Sequence, residues 1–130
     1  MTAAGVSFVS IGKLEYCCGT FGFYRGNNDM QTIKPRMQEM LEKVNPQRII
    51  TNCGHCLNAM SDLARQQPGE PLPVRHAAEE LLELAVAKRL DFSHLGEHYS
   101  IHDSCNFRAL HDDHGPLRQL LRRFGSIKEM

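Results

Sequence analysis

Apolar residues fall along this chain in two rhythms. Val6 to Ile11 is a brief β-branched run and reads as a strand leading towards Cys17. Met30, Ile33, Met37, Met40, Leu41 and Val44 recur at three- and four-residue steps, which predicts a helix that Asn45-Pro46 ends. Asn27, Asn28 or Asp29 is placed to cap that helix, and Pro35 is expected in its first turn, where a missing N–H costs nothing. Arg48 to Thr51 reads as a second strand. Leu57, Met60, Leu63 and Ala64 predict a second helix, closed by the Pro68-Gly69 turn. Pro71 to Val74 is a connector with room for a short strand. Ala77 to Leu90 is the clearest helix, with Leu81, Leu84, Ala85 and Lys88 around its apolar face. Tyr99 to His102 predicts a third strand, and Gly115-Pro116 starts a last helix that runs to Phe124.

The order is strand, cysteine-bearing loop, helix, repeated. That alternation predicts an α/β, Rossmann-like three-layer domain with a mostly parallel sheet. Ligands in such sheets sit beyond the carboxyl ends of the strands. The cysteine loops are expected there, so three stretches remote in sequence would meet on one edge. At 130 residues the chain is expected to form a single domain, 1–130.

Composition narrows the function. Acidic and basic residues balance at 15 each, so no global field favours nucleic acid or an anionic membrane. Arg118, Arg122 and Arg123 read as one face of the terminal helix. No apolar run approaches the roughly 20 residues needed to span a bilayer, and the N-terminus has no secretory pattern. A cytoplasmic setting is therefore expected, in which stable disulfides are uncommon. The odd count of five cysteines also argues against a fully paired disulfide framework.

Four of the five cysteines form two tight pairs, Cys17-Cys18-Gly19 and Cys53-Gly54-His55-Cys56, and the fifth lies in His102-Asp103-Ser104-Cys105. Thiolates held this close share a metal centre or an exchangeable disulfide. A Cys-x-x-Cys loop gives two ligands with little strain. Adjacent cysteines diverge in extended backbone and reach one mononuclear ion with difficulty, whereas a polynuclear cluster accepts both on different irons. Zinc held by Cys17 or Cys18 with Cys53, Cys56 and Cys105 remains a second reading, as a structural or interaction module. A metal-free thiol–disulfide oxidoreductase is a third.

Cys-Cys, then 34 residues (19 to 52) that begin with Gly19, and then Cys-x-x-Cys resembles the cysteine-rich CCG domain. That domain occurs in heterodisulfide reductase and in iron–sulfur subunits of glycolate, lactate and anaerobic glycerol-3-phosphate oxidising complexes. His102-Asp103-Ser104-Cys105-Asn106-Phe107-Arg108 is similar to the His-Asp-Pro-Cys stretch, followed by Arg, that carries the family's remaining cysteine. In the family that cysteine comes first; here it follows Cys56 by 48 residues (57 to 104). The chain thus reads either as a permuted unit or as two joined half-units. Ser104 stands where the family has Pro, and Thr20-Phe21 interrupts its run of glycines.

The resemblance implies that Cys17, Cys18, Cys53, Cys56 and Cys105 bind a non-cubane [4Fe–4S] cluster. It further implies electron transfer or disulfide reduction within a heterodisulfide reductase-like complex. The implied partners are other redox subunits and a disulfide or thiol substrate, with no nucleic acid and no direct membrane insertion. Reducing a disulfide takes two electrons, and one cluster changes state by one, so a relay or subunit role of an iron–sulfur oxidoreductase is expected over an independent catalyst.

Nearby residues have two readings each. His55 either hydrogen-bonds a cysteine sulfur or faces solvent. His102 and Asp103 either orient Cys105 and relay a proton, or fill a strand end and cap a turn. His76, His94, His98, His111 and His114 are expected on the surface. The Met30, Met37 and Met40 stripe reads as core, as do Phe21, Phe23 and Tyr24; Arg108 is expected to be exposed. Gly19, Gly22 and Gly26 lack the dinucleotide fingerprint.

Overall fold

The computed structural model describes residues 1–20, 22, 25–26, 30–93, 96–102 and 115–129. They form an α/β structure of two compact units, one of residues 9–75 and the other of residues 1–8 with 76–130. The expected capping residues Asn27 to Asp29, the aromatics Phe21, Phe23 and Tyr24, and His94, Asp103, Cys105, Arg108, His111 and His114 lie outside the described residues.

The unit of residues 9–75 is built on two helices. Helix α1 spans Met30–Val44, strand β1 Ile49–Thr51 and helix α2 Gly54–Arg65. Strand β2, Val74–His76, pairs with β1, and the Ile49 N–H donates to the Pro73 carbonyl at 2.8 Å. Met37 and Met40 are core, as their spacing predicts. With Cys18, Leu41 and Leu63 they form the buried cluster, and Ile33, Val44, Ile49, Cys56 and Met60 pack on it. One of the cysteine loops is therefore built into the hydrophobic core itself.

Two expectations for the first half of the chain are corrected. Val6 to Ile11 is not a strand. Phe8 and Val9 are 55% and 76% exposed, and strand propensity is realised only where a neighbouring strand and a packed face exist. Pro35 lies inside α1 rather than in its first turn. The helix begins at Met30, and Pro35 there removes the N–H that would bond the Gln31 carbonyl.

In the other unit, helix α3 (Ala77–Val86) packs against helix α4 (Pro116–Leu121). The N-terminus of α3 is a capping box: the His76 ring accepts from the Ala78 N–H at 3.2 Å, and the Glu79 carboxylate accepts from the His76 N–H at 2.6 Å. The helix stops at Val86, short of the expected Leu90. Lys88 turns left-handed at φ 55°, its N–H reaching the Ala85 carbonyl while the Arg89 N–H reaches that of Leu84. This is a Schellman termination, and it takes Lys88 off the helical face. The Arg89 guanidinium donates to the Ala4 carbonyl at 2.8 Å, tying down the N-terminal 3-10 turn Thr2–Ala4.

Strands β3 (Glu97–Ser100) and β4 (Gly125–Lys128) pair in parallel, Glu97 opposite Gly125 and Ser100 opposite Lys128. Helix α4 lies between them in sequence, so β3–α4–β4 is the crossover unit that a parallel pair requires. The parallel pairing of the α/β expectation is thus present. Strand β3 begins two residues before the expected Tyr99, and Ile101 and His102 follow it. Gly125 has no room for a side chain, because a Cβ there would run into the Glu97 carbonyl and the Tyr99 ring. Among the described residues, no helix is long and apolar enough to cross a membrane.

Candidate redox-thiol site

Strand β1 ends two residues before Cys53, as the sequence predicts. The Thr51 hydroxyl organises the turn: it donates to the Cys53 carbonyl at 3.0 Å and accepts from the Cys53 N–H at 3.4 Å. Cys53 is the extended N-cap residue of α2, and its carbonyl accepts the first helical bond from the Leu57 N–H at 2.9 Å. Helix α2 starts three residues earlier than its apolar spacing suggests. Its first turn, Gly54-His55-Cys56, holds too few large apolar residues to signal a helix. Cys53 and Cys56 thereby occupy N-cap and third helical positions, whose side chains face each other across a helix start.

The Cys17-Cys18 loop follows the 3-10 turn Gly12–Leu14 and Glu15. Cys17 is exposed and Cys18 is buried, so the two adjacent side chains sit in different surroundings. All four described thiols nonetheless border one cavity of about 480 Å³, which Gly12, Glu15, Tyr16, Thr20 and His55 also line. The Arg36 guanidinium from α1 sits 5.7 Å from the centre of the Tyr16 ring, a cation–π contact beside that wall.

The thiols interact directly. Burial pushes the Cys56 thiol up, and the adjacent Cys18 and Cys53 sulfurs push it further, to about 12. For Cys18 burial also acts upward, but it is outweighed by hydrogen bonds from the Thr20 hydroxyl and backbone and from the Cys56 thiol, and the net direction is down. The Thr20 Oγ1 lies 3.4 Å from the Cys18 Sγ. Of the two thiols, Cys18 is therefore the more readily deprotonated.

Four of these thiols are soft ligands of the kind that zinc, copper(I) and iron–sulfur clusters take. Among the described residues, no three His, Cys, Asp or Glu side chains close on a single point as a mononuclear ion would require. Soft thiolate donors of this kind are also those that iron–sulfur clusters use.

The expected site is thus gathered in part. Cys17, Cys18, Cys53, Cys56 and His55 border one cavity. His102 is exposed and lies in the other unit; Asp103 and Cys105 lie outside the described residues. Thr20, Glu15 and Tyr16 join the wall without a motif that marks them as site residues. The position of Thr20 two residues after Cys18 is the one signal in the sequence that points to it.

Residues 1–61 match the family model of the cysteine-rich domain called CCG. Over 107 residues, 81% of this chain, the sequence is 34% identical to an EtfAB:quinone oxidoreductase of Syntrophomonas wolfei subsp. wolfei. The aligned segment spans 15% of that relative's length. No solved structure matches the chain.

Proposed function

Because residues 1–61 match the model of the cysteine-rich CCG domain family, we propose that this chain binds an iron–sulfur cluster, of the non-cubane [4Fe–4S] type, and works as a redox element of a larger oxidoreductase. The ligands in this reading are Cys17, Cys18, Cys53 and Cys56, completed by Cys105. The observation that carries it is the meeting of two cysteine pairs, separated in sequence by α1 and β1, around one cavity. The oxidoreductase relative supports a redox role in general terms.

When bound, the cluster supplies a one-electron site. The chain's own residues supply the rest. Cys53 and Cys56 present paired sulfurs at the start of α2, where the helix dipole favours negative charge. The core around Cys18 keeps water from one side of the cavity. Thr20 lies within hydrogen-bond reach of the Cys18 sulfur, and His55 lines the same cavity. The partner is a redox protein or subunit that exchanges electrons with this site, as in a complex linking an electron donor to a quinone or to a disulfide.

The test is metal analysis of protein purified without oxygen and reconstituted with iron and sulfide. The reading expects a brown protein carrying iron and acid-labile sulfide. Colourless protein holding zinc, with no iron taken up, would replace it with the zinc module. Protein that takes up neither metal yet cycles Cys56 between thiol and disulfide would support the dithiol reading, which the contact of Cys56 with Cys18 and Cys53 favours as the alternative.

A further inference from the structure

We propose that Thr20 is a positioning and tuning residue for the redox centre: its hydroxyl donates a hydrogen bond to the Cys18 sulfur and raises the centre's reduction potential. The inference rests on the cluster reading above.

Thr20 Oγ1 stands 3.4 Å from Cys18 Sγ. Between a thiol and a hydroxyl, either group can donate. A metal-bound cysteine has no S–H, so in the loaded protein the hydroxyl alone can supply the proton. The Thr20 backbone also favours negative charge on the same sulfur.

The surroundings strengthen the effect. Cys18 is 8% exposed and belongs to the buried cluster with Met37, Met40, Leu41 and Leu63. Little water reaches its sulfur to replace a lost donor, and a hydrogen bond in such a place is stronger than one in solvent. Cys17, its neighbour, is exposed and has water for this purpose. Hydrogen bonds to ligand sulfur withdraw negative charge from the metal centre and favour its reduced form, and the number of such bonds is one of the levers that sets cluster potentials. At Cys18 the protein, rather than solvent, thus sets the hydrogen bonding.

Thr20→Val removes the hydroxyl while keeping the branched shape and the backbone N–H; Thr20→Ser keeps the hydroxyl. Each variant is reconstituted without oxygen and titrated to give the reduction potential of the bound centre. Thr20→Val is expected to lower the potential, so that the ratio of oxidised to reduced centre at fixed poise rises about tenfold, a shift of about 59 mV for one electron. Thr20→Ser is expected to hold the wild-type value. If the valine side chain disturbs loading, Thr20→Ala gives the same reading without it. Loaded Thr20→Val or Thr20→Ala with the wild-type potential overturns the inference alone, as does Thr20→Ser shifting as far as Thr20→Val. A wild-type chain that takes up no iron and sulfide overturns the cluster reading, and the inference with it.

Discussion

The Cys18 and Cys56 sulfurs border the same cavity and shift each other's acidity, although the whole of α1 and β1 lies between them in the chain. In metal-free protein the two protons leave as a coupled pair, the first below the ordinary thiol range and the second only near pH 12. Cys56→Ala removes a donor from the Cys18 thiolate, so the first step should move up. Cys18→Ala removes the neighbouring charge and hydrogen bond that hold Cys56 up, so the second should move down. Thiolate ultraviolet absorbance followed against pH reads both; profiles unchanged by either substitution would contradict the contact. The sign carries over to stability. A Cys56 whose folded pKa is raised from 9.0 to about 12 favours the fold while protonated, and that contribution fades as pH rises through this window.

Loss of any one of the proposed ligands should empty the site. Cys53→Ser and Cys56→Ser each break the paired sulfurs at the start of α2 and are expected to abolish retention of iron and sulfide. Cys105→Ser is expected to do the same if one chain completes its own centre. Full iron content in Cys105→Ser would remove that residue from the ligand set and favour two joined half-units over a permuted unit. Far-ultraviolet circular dichroism of the metal-free variants checks that the fold survives.

Gly125 sits opposite Glu97 with no space for a Cβ. Gly125→Ala must push the two strands apart, since the obstructing atom is backbone. The expected cost is about 2 kcal/mol or more, read as a lower denaturant midpoint. A midpoint equal to that of the parent would show that β3 and β4 are not so closely paired.

Lys88 adopts a left-handed conformation at the Schellman end of α3, where glycine has no Cβ penalty. Lys88→Gly is expected to stabilise the protein by about 0.5 kcal/mol after the extra chain entropy is set against that relief. Thermal unfolding of metal-free protein measures it. A loss of stability would mean that this turn is not left-handed.

Much of this arrangement could be read from the sequence, and the misses have physical causes. Helix α1 and its methionine core are visible because apolar side chains repeat on one face. The step from β1 to Cys53 is visible because β-branched residues run straight into Cys-Gly. Val6 to Ile11 misleads because its residues suit a strand, whereas a strand also needs a partner. Strand β4 is missed because Gly125-Ser126-Ile127-Lys128 holds one strong strand former; its pairing with β3 is a tertiary fact. The Cys17-Cys18 and Cys53-Cys56 pairs stand out in the sequence as candidate ligands from their spacing, and both border the one cavity. That Cys18 is packed in the core while Cys17 faces solvent is not, because adjacent identical residues differ only in which way the backbone turns them. Thr20 is hidden for the same reason: its type does not reveal that its hydroxyl meets a sulfur.

X-ray absorption at the iron edge of reconstituted, oxygen-free protein tests the central claim most directly. The account predicts iron surrounded mainly by sulfur, with iron–iron scattering from neighbouring metal atoms, and the loss of that signal in Cys53→Ser. Iron bound by oxygen and nitrogen without iron–iron scattering, or a spectrum unaltered in Cys53→Ser, would contradict it.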